Sequence, residues 1–484
     1  MRADRRREFL KKLVWACLGS AVLLPSFMFA DTRALRPNVI FILADDLGYG
    51  DLSCYGQKKF ATPNIDRLAA EGMKFTRHYC GCAVCAPSRS TIMTGLHTGH
   101  TPIRGNKQIG EGQAPLPRGT VTLAACLKQA GYATGCFGKW GLGFPGSEGD
   151  PVNVGFDTFF GYNCQMEAHS YYPQRLWRDR QEVRLDGQIY SPPVIMDEAL
   201  KFIRAHAGMT PFFAWLTVTL PHAAMSVPPE LHAPFRKQFP EFEGTKARYD
   251  KTRVDESPAS AFPAMMGVLD RQVGDVLSLV KELDIDEDTL ILFASDNGPH
   301  KEGGHQPDFW ASSGGLRGYK RDLYEGGLRT PFLARWPGKI RAGGESSQVS
   351  AFWDLMPTLC ELAGAHAAPD TDGVSLVPTL LGYGTQPTRA GLYWEFHEQG
   401  GKRAYLKGNL KAVQLGVDGA PEGPVEVYDL GSDPAEAHDV SASQATFVAE
   451  ARRAFATEHT RSEVFPWGWE KGKRSGVSTE KDKR

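Results

Sequence analysis

A chain of 484 residues is too long for one simple core and fits two or three domains, or one large α/β domain with an appendage. Its 55 lysines and arginines balance 56 acidic residues, so the net charge of -1 provides no global field to recruit nucleic acid or a membrane surface. Anion recognition must then come from a few placed cations, which favours a small charged ligand.

The first segment, residues 1–34, reads as an export signal. Arg2, Arg5, Arg6, Arg7, Lys11 and Lys12 precede the apolar run LVWACLGSAVLLPSFMFA. RREFLK resembles a twin-arginine signal, whose pathway carries proteins already folded. An uncleaved membrane anchor is the alternative, although the run is short for a span and contains Gly19 and Pro25. The expectation is cleavage between Ala30 and Ala34, export machinery as a partner, and a periplasmic or extracellular location.

From Pro37 onward, apolar runs alternate with helical patterns, which argues for βα units, helices flanking a mostly parallel sheet, and an α/β class. NVIFILA leads into Asp45 and Asp46, YATGCFG into Lys139, PFFAWLTVTLP into His222, and TLILFAS into Asp296 and Asn297. Parallel sheets place ligands beyond the carboxyl ends of their strands. Taken singly, Asp-Asp and Asp-Asn-Gly are ordinary turn chemistry. Together, three carboxylates and an amide oxygen make a hard ligand set for Ca²⁺ or Mg²⁺, and Lys139 beside them would bind an anion.

After about residue 386 the segments shorten, as in GLYWEFHEQ, GNLKAVQL and VEVYDL, which predicts a small antiparallel sheet over 386–470. The main α/β domain is then 35–385, and the charged tail 471–484 is expected to be disordered. Of nine cysteines, Cys80, Cys82 and Cys85 cluster without a second ligand group downstream, which argues against a zinc site. Cys54, Cys126, Cys136, Cys164 and Cys360 read as small buried hydrophobes.

Cys85 needs its own account. In VCAPSRSTIMTG, Pro87 and Ser88 suit the first turn of a helix, so residue 85 sits at an N-terminal end that favours negative charge. Arg89 follows one turn later on the same face. This stretch resembles the maturation signature of the formylglycine-dependent sulfatases, which share the alkaline phosphatase fold. GYATGCFGKW resembles their second signature, and ADDLGYGDL, TLPH, SDNGPH and GYKRDLYEGGLRTP extend the likeness over residues 36 to about 435.

The resemblance implies that a maturation enzyme converts Cys85 to formylglycine, whose gem-diol is the nucleophile. It implies that Asp45, Asp46, Asp296 and Asn297 hold the cation with Cys85, Ca²⁺ ahead of Mg²⁺. Arg89 would hold the formylglycine, Lys139 and Lys320 would grip the sulfate, and His222 would protonate the departing alcohol. Hydrolysis of sulfate monoesters is very slow in water, so charge on the ester oxygens must be met by preorganised cations.

The family often continues Gly-Lys-Trp with a histidine that serves as base in regenerating the aldehyde; here that position is Gly141. His169 and His300 are the expected substitutes. GYNCQMEAHSYYPQRLW and YWEFHEQGGKR resemble segments of bacterial carbohydrate sulfatases, and with His397 and Arg403 they are expected to line a sugar pocket. The partner is then a sulfated small molecule or glycan. Two rival readings are a phosphonate or phosphate ester hydrolase of the same superfamily and an inactive protein that binds sulfated glycans.

Overall fold

The computed structural model describes residues 35–109 and 112–471. The expected export signal and charged tail lie outside these, apart from Lys471.

Ten strands build one sheet: β1 (Asn38–Ala44), β2 (Met73–Phe75), β3 (Ala133–Lys139), β4 (Thr158–Tyr162), β5 (Arg175–Arg178), β6 (Gln181–Arg184), β7 (Phe212–Thr217), β8 (Thr289–Ser295), β9 (Phe332–Arg335) and β10 (Gly344–Ser346). Their order is β10-β2-β9-β8-β1-β7-β3-β4-β5-β6. The central five, β8 to β4, run parallel, while antiparallel pairs lie toward both edges. This is the mixed α/β sheet expected, with β1 at its centre.

β1 explains the layering. Val39, Phe41 and Leu43 enter one hydrophobic core, and Ile40, Ile42 and Ala44 enter the other. Because alternate side chains point to opposite faces, a strand apolar throughout needs cover on both. The helix α1 (Cys85–Thr94), with α2 (Leu123–Gln129) and α5 (Leu355–Ala363), lies on the first side. α3 (Ser191–His206) and α4 (Pro258–Glu282) cover the second.

Between Phe212 and Pro221 the strand is shorter than its apolar run. β7 ends at Thr217, and the chain reaches His222 through an irregular segment in which the Leu220 carbonyl accepts from Asp45 N–H at 3.1 Å. Pro221 has no amide hydrogen to continue a ladder.

The separate antiparallel sheet consists of β11 (Leu392–Phe396), β12 (Lys402–Lys407), β13 (Leu410–Leu415) and β14 (Glu426–Asp429), in that order. The helix α6 (Ala445–Thr457) covers it through Phe447, Ala451 and Phe455. Of the five scattered cysteines, four are buried, Cys54 is half-buried, and all are free thiols.

Candidate active site

The carboxyl ends of β1, β3 and β8 deliver polar groups to one place. Asp45 and Asp46 follow β1, Lys139 ends β3, and Asp296 and Asn297 follow β8. The parallel register aligns Ala44 with Ser295, so both acidic pairs emerge at the same height. They are tied together: Asp46 N–H donates to Asp296 Oδ1 at 3.1 Å, and Asn297 Nδ2 to Asp46 Oδ1 at 2.7 Å.

α1 brings Cys85 to this edge as its first residue, and the helix ends at Gly95, in the left-handed conformation. Arg89, fully buried one turn along, donates from Nε and Nη2 to Asp296 Oδ2 at 3.0 and 2.9 Å, and from Nη1 to the Lys139 carbonyl. Lys139 Nζ reaches Asp45 Oδ2 at 2.7 Å and Cys85 Sγ at 3.3 Å. On the other side, Lys320 Nζ meets Asp46 Oδ2 at 2.8 Å and His222 Nε2 at 3.3 Å. The nine residues expected to carry the chemistry therefore converge.

Electrostatics set their charge states. Burial pushes the Asp45 carboxyl up, but Lys139, His222 and Arg89 outweigh it and hold it far below the usual carboxylate range. Asp296 goes the other way, raised by burial and by the charge of Asp45. Burial, with Lys320 and Lys139, pushes His222 well below the ordinary imidazole value. Its Nδ1 faces the Ala223 carbonyl, so Nδ1 carries the proton and Nε2 is left as an acceptor.

The donor set fits a divalent cation. Asp45, Asp46, Cys85 and His222 offer ligand atoms within 4.8 Å of one another. Asn297 Oδ1 is buried with no hydrogen-bond partner, an oxygen lacking only a cation, since an unsatisfied buried acceptor is costly.

The remaining expected residues divide. The His169 ring lies parallel to His222 at 5.3 Å, and burial with Lys139 and Lys320 lowers its pKa to about 4. His300 Nδ1 accepts from Glu302 N–H at 3.0 Å while Nε2 faces the Pro221 carbonyl at 3.4 Å, so both of its nitrogens are committed. Arg403 needs correction as a pocket residue, and His397 is engaged beside it. His397 pairs with Glu395 at 2.9 Å and stacks on Trp467 at 3.9 Å, and Arg403 binds Gln414 and the carbonyls of Phe455 and Pro421. Arg403 is buried and its guanidinium is satisfied within the small sheet's packing, whereas His397 is half-buried, with Nε2 engaged by Glu395 and Nδ1 without a hydrogen-bond partner.

Four residues missed from the sequence also surround the site. Gln165 is buried with Oε1 unpartnered. Glu302 Oε2 lies 3.3 Å from Lys320 Nζ, and Glu302 Oε1 lies 2.7 Å from Arg321 Nη1. Tyr249 OH donates to Glu302 Oε2 at 3.3 Å. Gln165 and Arg321 stood within quoted motifs; Glu302 and Tyr249 lay outside them and carried no local signal.

A buried cysteine at a helix N-terminus, beside two lysines and a carboxylate-amide cluster at a sheet edge, suits an ester hydrolase acting on a tetrahedral oxyanion. The Sulfatase family model matches residues 37–365, and a second, N-sulphoglucosamine sulphohydrolase C-terminal, matches 317–454. The chain belongs to the sulfatase family and is a sulfuric ester hydrolase. It is 32% identical to human (Homo sapiens) arylsulfatase A over 449 residues, 84% of each chain. It is 33% identical to N-acetylgalactosamine-6-sulfatase of Rattus norvegicus over 374 residues, 71% of this chain and 66% of that one. The crystal structure of Ps i-CgsB with k-i-k-neocarrahexaose superposes with a TM-score of 0.73 at 26% identity, covering 88% of this chain and 93% of that one. The phosphonate monoester hydrolase of Agrobacterium radiobacter shares the fold alone, with a TM-score of 0.60 at 21% identity over 87% of this chain and 94% of that one.

Proposed function

We propose that this sulfatase removes sulfate from a carbohydrate, using formylglycine made from Cys85 and a divalent cation, Ca²⁺ or Mg²⁺, held by Asp45, Asp46, Asp296 and Asn297. The observation that carries the reading is the position of Cys85 Sγ, 3.3 Å from Lys139 Nζ and 3.4 Å from Asp45 Oδ1, at the first residue of α1. As a thiol it is a poor nucleophile, because burial and Asp45 push its pKa well up. That supports a precursor role. Formylglycine would supply a gem-diol hydroxyl as nucleophile, and the cation would supply charge stabilisation at the sulfate oxygens.

The chain's own groups do the rest. Lys139 and Lys320, both buried, present ammonium groups from two sides and bind the sulfate. Arg89 is locked by Asp296 and orients the residue at position 85. His222 Nε2 accepts from Lys320 while the site is empty of substrate; the incoming anion favours the protonated ring, which then gives its proton to the departing alcohol. The structure of Ps i-CgsB in complex with k-i-k-neocarrahexaose supports a carbohydrate substrate. The maturation enzyme and the export machinery complete the set of partners, with a periplasmic or extracellular location.

The test is chemical and kinetic. Mass spectrometry of the Cys85 peptide, from protein co-produced with a maturation enzyme, should show an aldehyde in place of the thiol. Nitrophenyl sulfate should be hydrolysed faster than nitrophenyl phosphate or a phosphonate monoester. Full activity in Cys85→Ala would remove the nucleophile assignment.

A further inference from the structure

Resting on the sulfatase reading above, we propose that Glu302 and Arg321 form an acceptor–donor pair that reads a free hydroxyl on the sugar carbon next to the sulfate ester.

A carboxylate beside an anion site needs a reason. Glu302 opposes sulfate by its own charge, yet it stays ionised: burial pushes it up, but Lys320 and Arg321 hold it down at about 2. If its task were only to orient Lys320, Asp46 already does so at 2.8 Å. Cys85, Lys139 and His222 are closed from solvent, whereas Glu302, Arg321, Tyr249 and His169 are half-buried. The partial exposure of these four puts the solvent side of the site with them, the Tyr249 and His169 rings standing 5.1 Å apart.

That solvent side is also the alcohol side. Glu302 Oε2 is 3.3 Å from Lys320 Nζ, which is 3.3 Å from His222 Nε2, the proposed proton donor to the ester oxygen. Through Lys320, Glu302 thus stands close enough to His222 for a sugar whose ester oxygen meets His222 to bring a neighbouring hydroxyl to Glu302. A carboxylate with about four lone-pair sites can accept a hydroxyl while keeping its Arg321, Lys320 and Tyr249 contacts. Arg321 offers further N–H groups to the same oxygen; among the described residues, Glu302 is the one acidic side chain within 4 Å that it pairs with.

Arg321 is held for this at a cost. It has φ +77, a left-handed backbone that a non-glycine residue adopts only when its surroundings enforce it, and such strain gathers at functional sites. Its N–H donates to the Ala83 carbonyl at 2.8 Å, and its carbonyl accepts from Lys402 Nζ at 2.6 Å. Both bonds fix the direction in which the guanidinium leaves the chain.

The pair selects by chemistry. A neighbouring hydroxyl is bound, and a neighbouring second sulfate meets the Glu302 charge. The experiment uses the mature, formylglycine-bearing enzyme with three probes: a hexose monosulfate with a free neighbouring hydroxyl, its deoxy analogue, and the neighbouring disulfate. The parent should favour the hydroxyl over the deoxy sugar by about tenfold or more in kcat/KM, because a site built to hydrogen-bond a group rejects the analogue lacking it. In Glu302→Gln and, separately, Arg321→Ala, that ratio should fall toward one, and Glu302→Gln should gain on the disulfate relative to the monosulfate. A parent indifferent to the hydroxyl, or variants that keep the parent ratio, overturns the proposal. Absence of any nitrophenyl sulfate hydrolysis, with the aldehyde confirmed, overturns the sulfatase reading and this pair with it.

Discussion

A Cβ placed on Gly141 would stand 3.1 Å from Gln165 Oε1. Gln165 therefore borders the space from which relatives project the histidine after Gly-Lys-Trp, and Gly141 itself sits at φ +80. Backbone and neighbour together make this a glycine position.

Restoring the family's histidine at residue 141 should thus fail to help. Gly141→Ala should destabilise by about 1–3 kcal/mol through backbone strain, and Gly141→His by at least as much. Denaturant unfolding of the parent and both variants measures it; a histidine variant as stable as the parent would contradict the packing described.

On the formylglycine reading proposed above, the expected base for regenerating the aldehyde is His169. Among the described residues its ring makes no side-chain hydrogen bond; it stacks on His222, and its pKa, lowered to about 4, leaves it unprotonated at neutral pH. His169→Ala should release a first equivalent of alcohol quickly and then turn over about a hundredfold or more slowly, with sulfate retained on the Cys85 peptide. His300→Ala should show no such stall, since both nitrogens of His300 are engaged. Rapid quench and mass spectrometry of the two variants distinguish these outcomes.

Metal binding is measurable without turnover. Elemental analysis should find one Ca²⁺ or Mg²⁺ per chain, and exhaustive chelation should lower Tm, recovering on readdition, because a ligand bound to the folded state stabilises it. Asp46→Ala and Asn297→Ala should each blunt that recovery. A chain with no metal and a Tm indifferent to chelator would exclude the cage.

Acid should loosen the C-terminal segment. Burial raises the Glu395 carboxyl, but His397 and His459 outweigh it and hold it at about 2 against an ordinary 4.5. A depressed carboxylate contributes its full stability above about pH 4.5 and loses it as pH falls toward 2. At about 1.4 kcal/mol per unit, that is about 3 kcal/mol. Glu395→Gln should flatten the stability profile across this window while lowering stability at neutral pH; unfolding from pH 7 to 2 checks it.

Local chemistry was sufficient for much of this protein. Asp45, Asp46, Lys139, Asp296 and Asn297 could be read because each follows or ends an apolar run, and a parallel sheet must bring such ends to one edge. Cys85 and Arg89 could be read because a helix start announces itself within a few residues. His397 and Arg403 could not, since whether a polar residue on a glycine-flanked strand faces a pocket or an internal partner depends on Glu395, Trp467 and Gln414, brought from elsewhere in the chain. The same holds for the solvent side of the site. Tyr249, Glu302 and Arg321 meet across loops with no periodic pattern, and only the packing of those loops decides that a carboxylate stands beside Lys320.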